Sequence, residues 1–278
     1  RNRIMEKVVV LTAAHKSFDQ LGLEGYLPVQ VGAALAAQDL GFQRDDEGDN
    51  ISEKNPQYCE LTAQYWAWKN LTDAQIMGLV HYRRYFTTDL YTKNWKDAIL
   101  TADQIRQLLR QYTIVLPKPV YKLPHNGTLY HDRPRQGQNR HLLLLEEILQ
   151  RRCPEYMPSF EKFAYGRRVS FGNMLLCSRE VFCAYSAWMF PLLEEFERLG
   201  EQEGILIPRL CGFMSEYLLC IWADHNIPAD KILFLDVVNT EESRSSRGFL
   251  LRKLLVKLGI FEPVARVGFA FYYKMKGC

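Results

Sequence analysis

Three basic side chains follow a strand-like run in the first third of the sequence. Residues 76–80 are apolar throughout, which predicts a buried strand, and His81, Arg83 and Arg84 come directly after it. Ligands of open α/β sheets bind beyond the carboxyl ends of the strands, so a phosphate-bearing ligand is expected to lie against these residues. Guanidinium groups bind phosphate oxygens bidentately, so two arginines can stabilise a diphosphate leaving group without a metal ion. Pairing of the arginines with carboxylates of a neighbouring loop is the alternative.

Alternating strand and helix patterns must position this cluster. Apolar runs of strand length occur at residues 8–12, 76–82, 113–116, 174–178 and 232–238. Apolar residues three or four apart predict helices at residues 102–112, 139–152, 179–199 and 214–226. Asn55 and Pro56 predict a further helix start, with Asn55 as the capping residue and an aromatic face that follows. The alternation predicts an α/β fold.

The segment at residues 118–137 breaks the alternation. It is rich in proline, histidine and basic residues and has no sustained periodicity, which predicts a long loop. Long loops in compact domains are commonly functional lids, so we interpret this one as a candidate flap over a substrate site.

Composition and missing motifs exclude several classes of protein. With 278 residues, of which 47% are hydrophobic, the chain can bury a sizeable core. The seven cysteines are odd in number and lie mostly in apolar runs, so we expect no disulfide framework and a reducing cytoplasm. No apolar run approaches the roughly 20 residues of a membrane span, and no export signal is recognisable. The common phosphate-loop, dinucleotide-binding, nucleophile-elbow and kinase motifs are missing from the sequence.

Metal sites receive little support from the sequence. The cysteines form no C-x-x-C pair and no two histidines are four residues apart, so a zinc site is not expected. No Asp-x-Asp follows a predicted strand, the arrangement in which carboxylates hold Mg²⁺ or Mn²⁺ beside a diphosphate. The acidic cluster at residues 45–49 follows no predicted strand and is interpreted as a solvated loop. We predict no cofactor, and a divalent cation held by this cluster is the alternative.

Six short motifs resemble the signature of one protein family. They are residues 48–55 (GDNISEKN), 58–62 (YCELT), 65–70 (YWAWKN), 81–86 (HYRRYF), 171–174 (FGNM) and 209–218 (RLCGFMSEYL). The family was long described as a domain of unknown function and occurs in bacterial capsule, exopolysaccharide and O-antigen gene clusters. Its characterised relatives are glycosyltransferases, including galactofuranosyl and galactosyl transferases. The resemblance extends from Val8 to about Ile221.

The resemblance implies a GT-A-like fold, a Rossmann-related α/β sandwich with a mixed central sheet. Residues 1–242 would form the transferase domain, with nucleotide-sugar binding mainly in residues 1–116 and the acceptor side mainly in residues 117–242. The expected reaction moves a hexosyl residue, with galactofuranose or galactose favoured, from a UDP-linked donor to a polysaccharide or lipid-linked oligosaccharide. It is expected to be inverting and metal-independent. A metal-dependent or retaining transferase of the same fold and a non-catalytic binding protein of polysaccharide assembly are the alternatives.

This fold also implies donor-binding residues. The end of the first strand and the polar loop before the aromatic helix are expected to contact the nucleotide. The nucleotide-binding candidates are Thr12, His15, Lys16, Asn50, Ser52 and Asn55. The candidates for the donor diphosphate are His81, Arg83, Arg84 and Lys54. A plain turn after the first strand and a purely capping role for Asn55 are the alternatives.

An inverting transfer needs a base that takes the proton of the acceptor hydroxyl. Glu216 is the first candidate, because a helix that starts near Ser215 would hold its carboxylate in the first turn. Asp236, at the end of a strand predicted at residues 232–235, is the second. Stabilising the helix N-terminus or pairing with an arginine is the alternative for Glu216. The candidates for acceptor or sugar binding are Asn173, Tyr82 and His131.

Residues 243–278 form a basic tail. Its eight cations and single acid, Glu262, give it a net charge of about +7, which leaves about −4 on the rest of a chain of net charge +3. A nucleic-acid partner is not expected, because such a binder spreads its basic surface over the folded domain. Residues 247–258 predict an amphipathic helix. We expect the tail to dock on the inner face of the cytoplasmic membrane, with packing on the catalytic domain or on a second subunit as the alternative.

Overall fold

The computed structural model describes residues 5–241 apart from residues 21, 91, 93, 122–139, 165 and 167, together with residues 251, 253–255 and 258. Its strands are β1 Val8–Ala14, β2 Tyr26–Gln30, β3 Gln43–Arg44, β4 Ile76–His81, β5 Arg84–Thr87, β6 Ile114–Pro117, β7 Val120–Tyr121, β8 Arg168–Val169, β9 Leu175–Ser178 and β10 Ile232–Asn239. Its α-helices are α1 Asn55–Tyr58, α2 Leu61–Asn70, α3 Ala102–Leu109, α4 Arg140–Arg152, α5 Met157–Ala164, α6 Arg179–Gln202 and α7 Leu210–Asn226.

Eight of these strands form one mixed sheet in the order β3-β2-β1-β4-β5-β10-β6-β9. The strands β3, β2, β1 and β4 are parallel. On its other side, β4 pairs antiparallel with β9 along residues 76–79 and with β5 only at His81 and Arg84. The strands β5, β10, β6 and β9 therefore form the second half of the sheet, and the first and last of them both pair with β4. The predicted α/β fold with a mixed central sheet is confirmed.

The strand β1 is buried over its whole length because helices cover both faces of the sheet. Its side chains alternate between two cores, as the period of a strand requires. Val9 and Leu11 belong to the larger core, which also contains buried side chains of α2, α4, α5, α6 and α7. Val8 and Val10 belong to the smaller core, in which Ile105 of α3 packs. This double burial fixes the position of the strand ends.

The predicted strands and helices occur with boundaries shifted by a few residues, and three differences affect the site. The helix predicted from Asn55 is wrong as a single element, because α1 ends at Tyr58 and α2 begins at Leu61. The helix α7 begins at Leu210, so Glu216 lies in its second turn rather than its first. The strands β2, β3 and β5 were not predicted, since each is short or interrupted by proline or charge.

Two predicted segments lie largely outside the described residues. They are the flap, of which residues 118–121 are described, and the basic tail, of which residues 251, 253–255 and 258 are described. In the tail, residues 251 and 253–255 are helical, and Leu251, Leu254 and Leu258 are exposed. Among the described helices, none combines the length and the apolar character that crossing a bilayer requires.

Candidate active site

A cavity of about 410 Å³ lies at the edge of the sheet where β1 and β4 end. Because these strands are parallel and Ala13 lies opposite His81, both carboxyl ends open to the same space. The other wall comes from the junction of α1 and α2, the turn before β9 and the first turns of α7. This cavity, called the cleft below, is lined by Ala13, His15, Val31, Asn55, Pro56, Cys59, Glu60, His81, Tyr82, Arg83, Arg84, Gly172, Arg209 and Glu216.

Tyr82 forms an aromatic platform on the strand side of the cleft. The residue is 8% exposed, and its amide donates to the carbonyl oxygen of Ala13 at 3.1 Å. The Lys16 ammonium and the Arg83 guanidinium lie 5.5 and 4.9 Å from the centroid of its ring. The ring of His15 meets it edge to face at 5.4 Å. One aromatic ring therefore gathers three basic side chains beside the strand ends.

The break between α1 and α2 brings Glu60 to the cleft. Asn55 Nδ2 donates to the carbonyl oxygen of Cys59 at 2.8 Å and caps no helix start, so the predicted capping role is wrong. Cys59 then takes a φ of +51°, which a helix cannot continue. Glu60 follows as the residue that precedes α2. The kink thus turns a residue of the aromatic segment toward the strand ends.

Three non-glycine residues of the described chain have positive φ, and all of them border the cleft. They are Cys59 at +51°, Asn173 at +51° and Arg209 at +69°. Such conformations cost about 1–3 kcal/mol each and persist only where the surrounding structure holds them. Arg209, for example, is held by its amide, which donates to the carbonyl oxygen of Pro56 at 2.8 Å. This concentration of strained backbone is typical of a functional site.

Glu216 lies half-buried in the wall of the cleft. Its Oε1 accepts a hydrogen bond from the amide of Gly172 at 2.8 Å, and its Oε2 has no hydrogen bond to the described residues. Burial, and after it the negative charge of Glu60, raises the pKa of Glu216 to about 8. The Gly172 amide and the charges of Arg84 and Arg209 act in the opposite direction. A carboxyl group with this pKa suits general base catalysis near neutral pH.

The mouth of the cleft is cationic. Arg84 and Arg209 are exposed at its two walls, and the side chain of Arg84 has no hydrogen bond or ion pair to the described residues. The pKa of His15 is lowered from its ordinary value, first by burial and then by three nearby cations. These cations are Arg83, Lys16 and Arg209. Such a concentration of positive charge favours an anionic ligand.

The Cys59 thiol borders the same cleft. Its pKa is raised to about 11, first by burial and then by the charge of Glu60, although Arg209 acts in the opposite direction. The thiol is therefore protonated at neutral pH. A thiol in this state is a poor nucleophile, which argues against covalent catalysis by this residue.

The structure brings together seven of the predicted site residues. The cleft is lined by His15, Asn55, His81, Tyr82, Arg83, Arg84 and Glu216. Two more predicted residues lie beside it, because Lys16 contacts the ring of Tyr82 and Asn173 donates to Glu60. His131 lies outside the described residues.

Besides Lys16, three of the nucleotide-binding candidates do not line the cleft. Thr12 is buried within β1, and Ser52 is buried with its hydroxyl donated to Asp45 at 2.5 Å. Asn50 Nδ2 donates to the carbonyl oxygens of Asp46 and Gly48, at 3.0 and 2.8 Å. These contacts stabilise the loop beside the cleft.

Lys54 and Asp236 form ion pairs and do not line the cleft. Lys54 pairs with Glu197 at 2.6 Å, and Asp236 pairs with Lys118 at 2.6 Å. Asp236 lies within β10, opposite Thr87, because the strand continues to Asn239 as an antiparallel partner of β5. The expectation that it ends a strand is wrong for this reason.

Asp45 corrects the interpretation of the acidic cluster as a solvated loop. It follows the two-residue strand β3 and is fully buried. Its carboxylate accepts hydrogen bonds from the amides of Gly32 and Ala33 at 2.8 and 2.9 Å, as well as from Ser52. It therefore holds two loops together. Within the described ranges, no three His, Cys, Asp or Glu side chains are grouped to bind a metal ion.

Among the cleft residues that were assigned no individual role from the sequence, four contribute to its charge, its hydrogen bonds or its strained backbone. They are Cys59, Glu60, Gly172 and Arg209. The available signal was their presence in the motifs at residues 58–62, 171–174 and 209–218. The sequence pattern could not single them out, since none of them follows a strand that the sequence predicts. They come together because the chain is kinked at Cys59 and has positive φ angles at Gly172, Asn173 and Arg209, and no sequence pattern predicts these conformations.

Comparison with known proteins gives two matches. The profile of the family described as Domain of unknown function (DUF4422) matches residues 9–227. A solved structure described as the apo form of WbbM, a bifunctional glycosyltransferase, is similar with a TM-score of 0.71 and 24% sequence identity. The match covers 85% of this chain and 46% of that one, so this chain spans less than half the length of that protein. At this identity the likeness shows a shared fold. No curated protein sequence matches the chain.

Proposed function

This chain belongs to the DUF4422 family, and we propose that it is a glycosyltransferase that uses a nucleoside-diphosphate sugar. The observation that carries the proposal is the cleft, in which guanidinium groups and the carboxyl group of Glu216 face one cavity at the ends of parallel strands. The fold that the chain shares with a structure described as a bifunctional glycosyltransferase supports this class. The fold is of the GT-A type in this proposal, with the donor side in residues 1–116 and the acceptor side in residues 117–242.

The donor diphosphate binds at the cationic mouth of the cleft. Arg84 is available for it because this exposed side chain has no hydrogen bond or ion pair to the described residues. Arg209 approaches from the wall of α7. Lys16, beside the Tyr82 platform, extends the positive surface toward the nucleotide, and His15, whose lowered pKa leaves it neutral at neutral pH, can hydrogen-bond there. Bidentate hydrogen bonds from guanidinium groups stabilise the charge that the departing diphosphate acquires.

Glu216 acts as the base. Its carboxylate accepts the proton of the acceptor hydroxyl, whose oxygen forms a bond to the anomeric carbon of the donor sugar. The bond from that carbon to the diphosphate oxygen breaks, and its electron pair leaves with the nucleoside diphosphate. Attack from the face opposite the leaving group inverts the anomeric configuration. The pKa of about 8 makes the carboxylate a stronger base than an ordinary glutamate.

The proposed transfer needs no metal ion or other cofactor. Guanidinium groups supply positive charge at the diphosphate, which is the task that a divalent cation performs in many related reactions. A metal-dependent or retaining enzyme would draw on the acidic cluster at residues 45–49. Asp45, its buried member, already accepts hydrogen bonds from Gly32, Ala33 and Ser52. This engagement favours the metal-independent reaction.

The substrates follow from the family resemblance. A UDP-linked hexose is the favoured donor, with galactofuranose or galactose as the sugar. The favoured acceptor is a growing capsule, O-antigen or exopolysaccharide chain, or its lipid-linked precursor. Such acceptors are made at the inner face of the cytoplasmic membrane, where we propose that the enzyme binds peripherally. The exposed Leu251, Leu254 and Leu258, within a tail of net charge about +7, support this location.

A nucleotide-sugar panel tests the proposal. Thermal shift with UDP-, GDP-, dTDP- and CMP-sugars identifies the donor, and turnover is then measured with a saccharide acceptor, with and without EDTA. We expect stabilisation by a UDP-sugar and turnover that survives EDTA. Arg84→Ala should weaken donor binding by roughly tenfold or more. The matched control is Arg110→Ala, an exposed arginine outside the cleft.

Each outcome of this panel decides between named functions. Stabilisation without turnover would favour a binding protein of polysaccharide assembly. Turnover that is lost in EDTA and restored by Mg²⁺ or Mn²⁺ would favour the metal-dependent alternative. No stabilisation by any nucleotide sugar would overturn the transferase proposal.

A further inference from the structure

Glu60 has no role in the chemistry proposed above, although it lies in the cleft. Its side chain is 11% exposed, and its Oε1 accepts a hydrogen bond from Asn173 Nδ2 at 2.8 Å. The same oxygen lies 3.8 Å from His81 Nε2. Withdrawing a carboxylate from water is costly unless it is paired or hydrogen-bonded. The hydrogen bond from Asn173 meets that requirement.

His81 and Glu216 are both hydrogen-bonded to the backbone of Gly172, His81 to its carbonyl oxygen and Glu216 to its amide. His81 Nε2 lies 2.5 Å from the carbonyl oxygen of Gly172, so this nitrogen carries a hydrogen and donates it. The amide of Gly172 donates to Glu216 Oε1 at 2.8 Å. Gly172 has a φ of +97° and Asn173 a φ of +51°, two consecutive positive values. A turn of this shape keeps its conformation only when neighbouring groups fix it.

Asn173 ties this turn to α7. The residue is 3% exposed, and its Nδ2 donates to the carbonyl oxygen of Gly212 at 2.9 Å as well as to Glu60. Its Oδ1 accepts from the hydroxyl of Ser215 at 2.9 Å. Ser215 is the neighbour of Glu216 in the chain. The contacts therefore form a closed ring that begins and ends at Glu60 and includes Glu216.

We propose that Glu60 is a positioning residue for the transfer. Its carboxylate accepts the hydrogen bond of Asn173 and lies beside the imidazole of His81, and so keeps the turn at residues 172–173 in the conformation that presents Glu216 to the acceptor. The inference rests on the proposed function, because Glu216 receives the acceptor proton there. Glu60 acts through Glu216 and does not touch the reacting atoms.

The charge of Glu60 has a second effect on Glu216. After burial, it is the next cause of the raised pKa of Glu216. The other charged groups that face Glu216 are Arg84, the first residue of β5, and Arg209, which precedes α7, and both lower its pKa. The Cys59 thiol also faces it and is protonated at neutral pH. Removing only the charge of Glu60 therefore makes Glu216 a weaker base.

The Glu60→Gln variant tests the effect of the Glu60 charge separately from that of its hydrogen bond. The glutamine can still accept the hydrogen bond of Asn173 through Oε1, but it carries no charge. We expect the titration midpoint of Glu216, followed by ¹³C NMR of its carboxyl carbon without substrate, to move down by about one pH unit. The Glu216→Gln variant assigns the signal. Glu53→Gln, at an exposed glutamate of the preceding turn, should leave the midpoint unchanged.

Kinetics supply the second measurement. Glu60→Ala removes the contacts with both neighbours and should lower kcat by roughly a hundredfold with little change in the KM for the donor. Glu60→Gln should keep more of the activity, with the acid limb of its pH profile moved to lower pH. A purely structural role would reduce the melting temperature without moving that limb.

Two outcomes decide the inference. A Glu60→Gln protein that keeps both the wild-type midpoint of Glu216 and the wild-type kcat would overturn it. A lowered midpoint in a protein that binds no nucleotide sugar would support the coupling of Glu60 to Glu216 and overturn the proposed function instead. The two failures are distinguishable because the NMR titration needs no substrate.

Discussion

The carboxylate of Glu216 accepts a hydrogen bond of 2.8 Å from the backbone amide of Gly172, 44 residues away in the sequence. This bond joins α7 to the turn that precedes β9. Gly172 has a φ of +97°, which L-residues rarely adopt. The orientation of the proposed base therefore depends on the conformational freedom of one glycine.

Replacing Gly172 tests this dependence. A Cβ at Gly172 would meet no atom closer than 3.8 Å, so Gly172→Ala introduces backbone strain without a steric clash. The strain should lower the free energy of unfolding by about 1–2 kcal/mol, or else the turn relaxes and releases Glu216. We expect kcat to fall at least tenfold. Steady-state kinetics and thermal melts of the same preparations measure both effects.

Gly204 offers a matched control for that substitution. It also has positive φ, at +66°, and a Cβ there would meet nothing within 4 Å, but it lies outside the cleft. Gly204→Ala should lose similar stability and keep the wild-type kcat. Equal kcat in both variants would contradict a functional role for the bond between Gly172 and Glu216.

The raised pKa of Glu216 predicts a pH-dependent change in stability. Its folded-state value of about 8 exceeds the ordinary value of 4.5, so the folded protein binds this proton more tightly than the unfolded chain does. The resulting stabilisation is complete below about pH 4.5 and is lost as the pH rises through about 8. Glu216→Gln is uncharged at every pH and can still accept the Gly172 amide. Its melting temperature relative to wild type should therefore rise between about pH 4.5 and about pH 8 and change little above that.

The catalytic activity of the wild type should depend on the same carboxyl group, but it should increase with pH where the stability decreases. The base must be deprotonated, so kcat/KM of the wild type should increase as the pH rises through about 8. Glu216→Gln should lose roughly a hundredfold or more of kcat at any pH. Glu53→Gln, at an exposed position, serves as the control for both measurements. A flat pH profile in the wild type would remove Glu216 from the role of base.

The sequence predicted the strand side of the site more completely than the helix side. His81, Arg83 and Arg84 follow an apolar run, and the rule that ligands bind beyond strand ends was sufficient to group them. Glu60 and Arg209 could not be grouped in this way. They meet through the kink at Cys59 and the positive φ of Arg209, and neither conformation has a sequence pattern of its own.

Polar residues in loops account for the remaining differences between the predictions and the structure. Ser52 and Asn50 were predicted to face a ligand, but they satisfy hydrogen-bonding groups of their own loop. Asp45 was interpreted as solvated, yet it is buried against two backbone amides. Side chains of these types serve backbone groups and ligands equally well. Residue types alone therefore do not show whether such a side chain bonds to the backbone or to a ligand, because that depends on the conformation of the loop.

The contact between Arg83 and Glu241 predicts a gain in donor binding. The Arg83 guanidinium lines the cleft and pairs with the Glu241 carboxylate at 2.8 Å. Their side chains are 42% and 52% exposed, so the pair contributes little to stability. Glu241→Gln should free the guanidinium and tighten donor binding by a few-fold, as measured by calorimetry at low salt. Glu201→Gln, an exposed glutamate outside the cleft, should leave the affinity unchanged.

The exposed leucines of the tail predict membrane binding. Leu251, Leu254 and Leu258 are 57%, 52% and 60% exposed, and their spacing of three and four residues aligns them on one side of a helix. Burying the exposed half of such a side chain in an interface contributes about 1–1.5 kcal/mol, and anionic lipids attract the basic residues around it. We expect the wild type to co-float with vesicles that contain phosphatidylglycerol and not with pure phosphatidylcholine. Leu251→Glu combined with Leu254→Glu should weaken that binding by roughly tenfold or more.

The control is Leu35→Glu, at a residue that is also 57% exposed but lies in the folded domain, and this variant should bind as the wild type does. Equal binding by all three proteins would show that the leucine stripe is not the membrane contact.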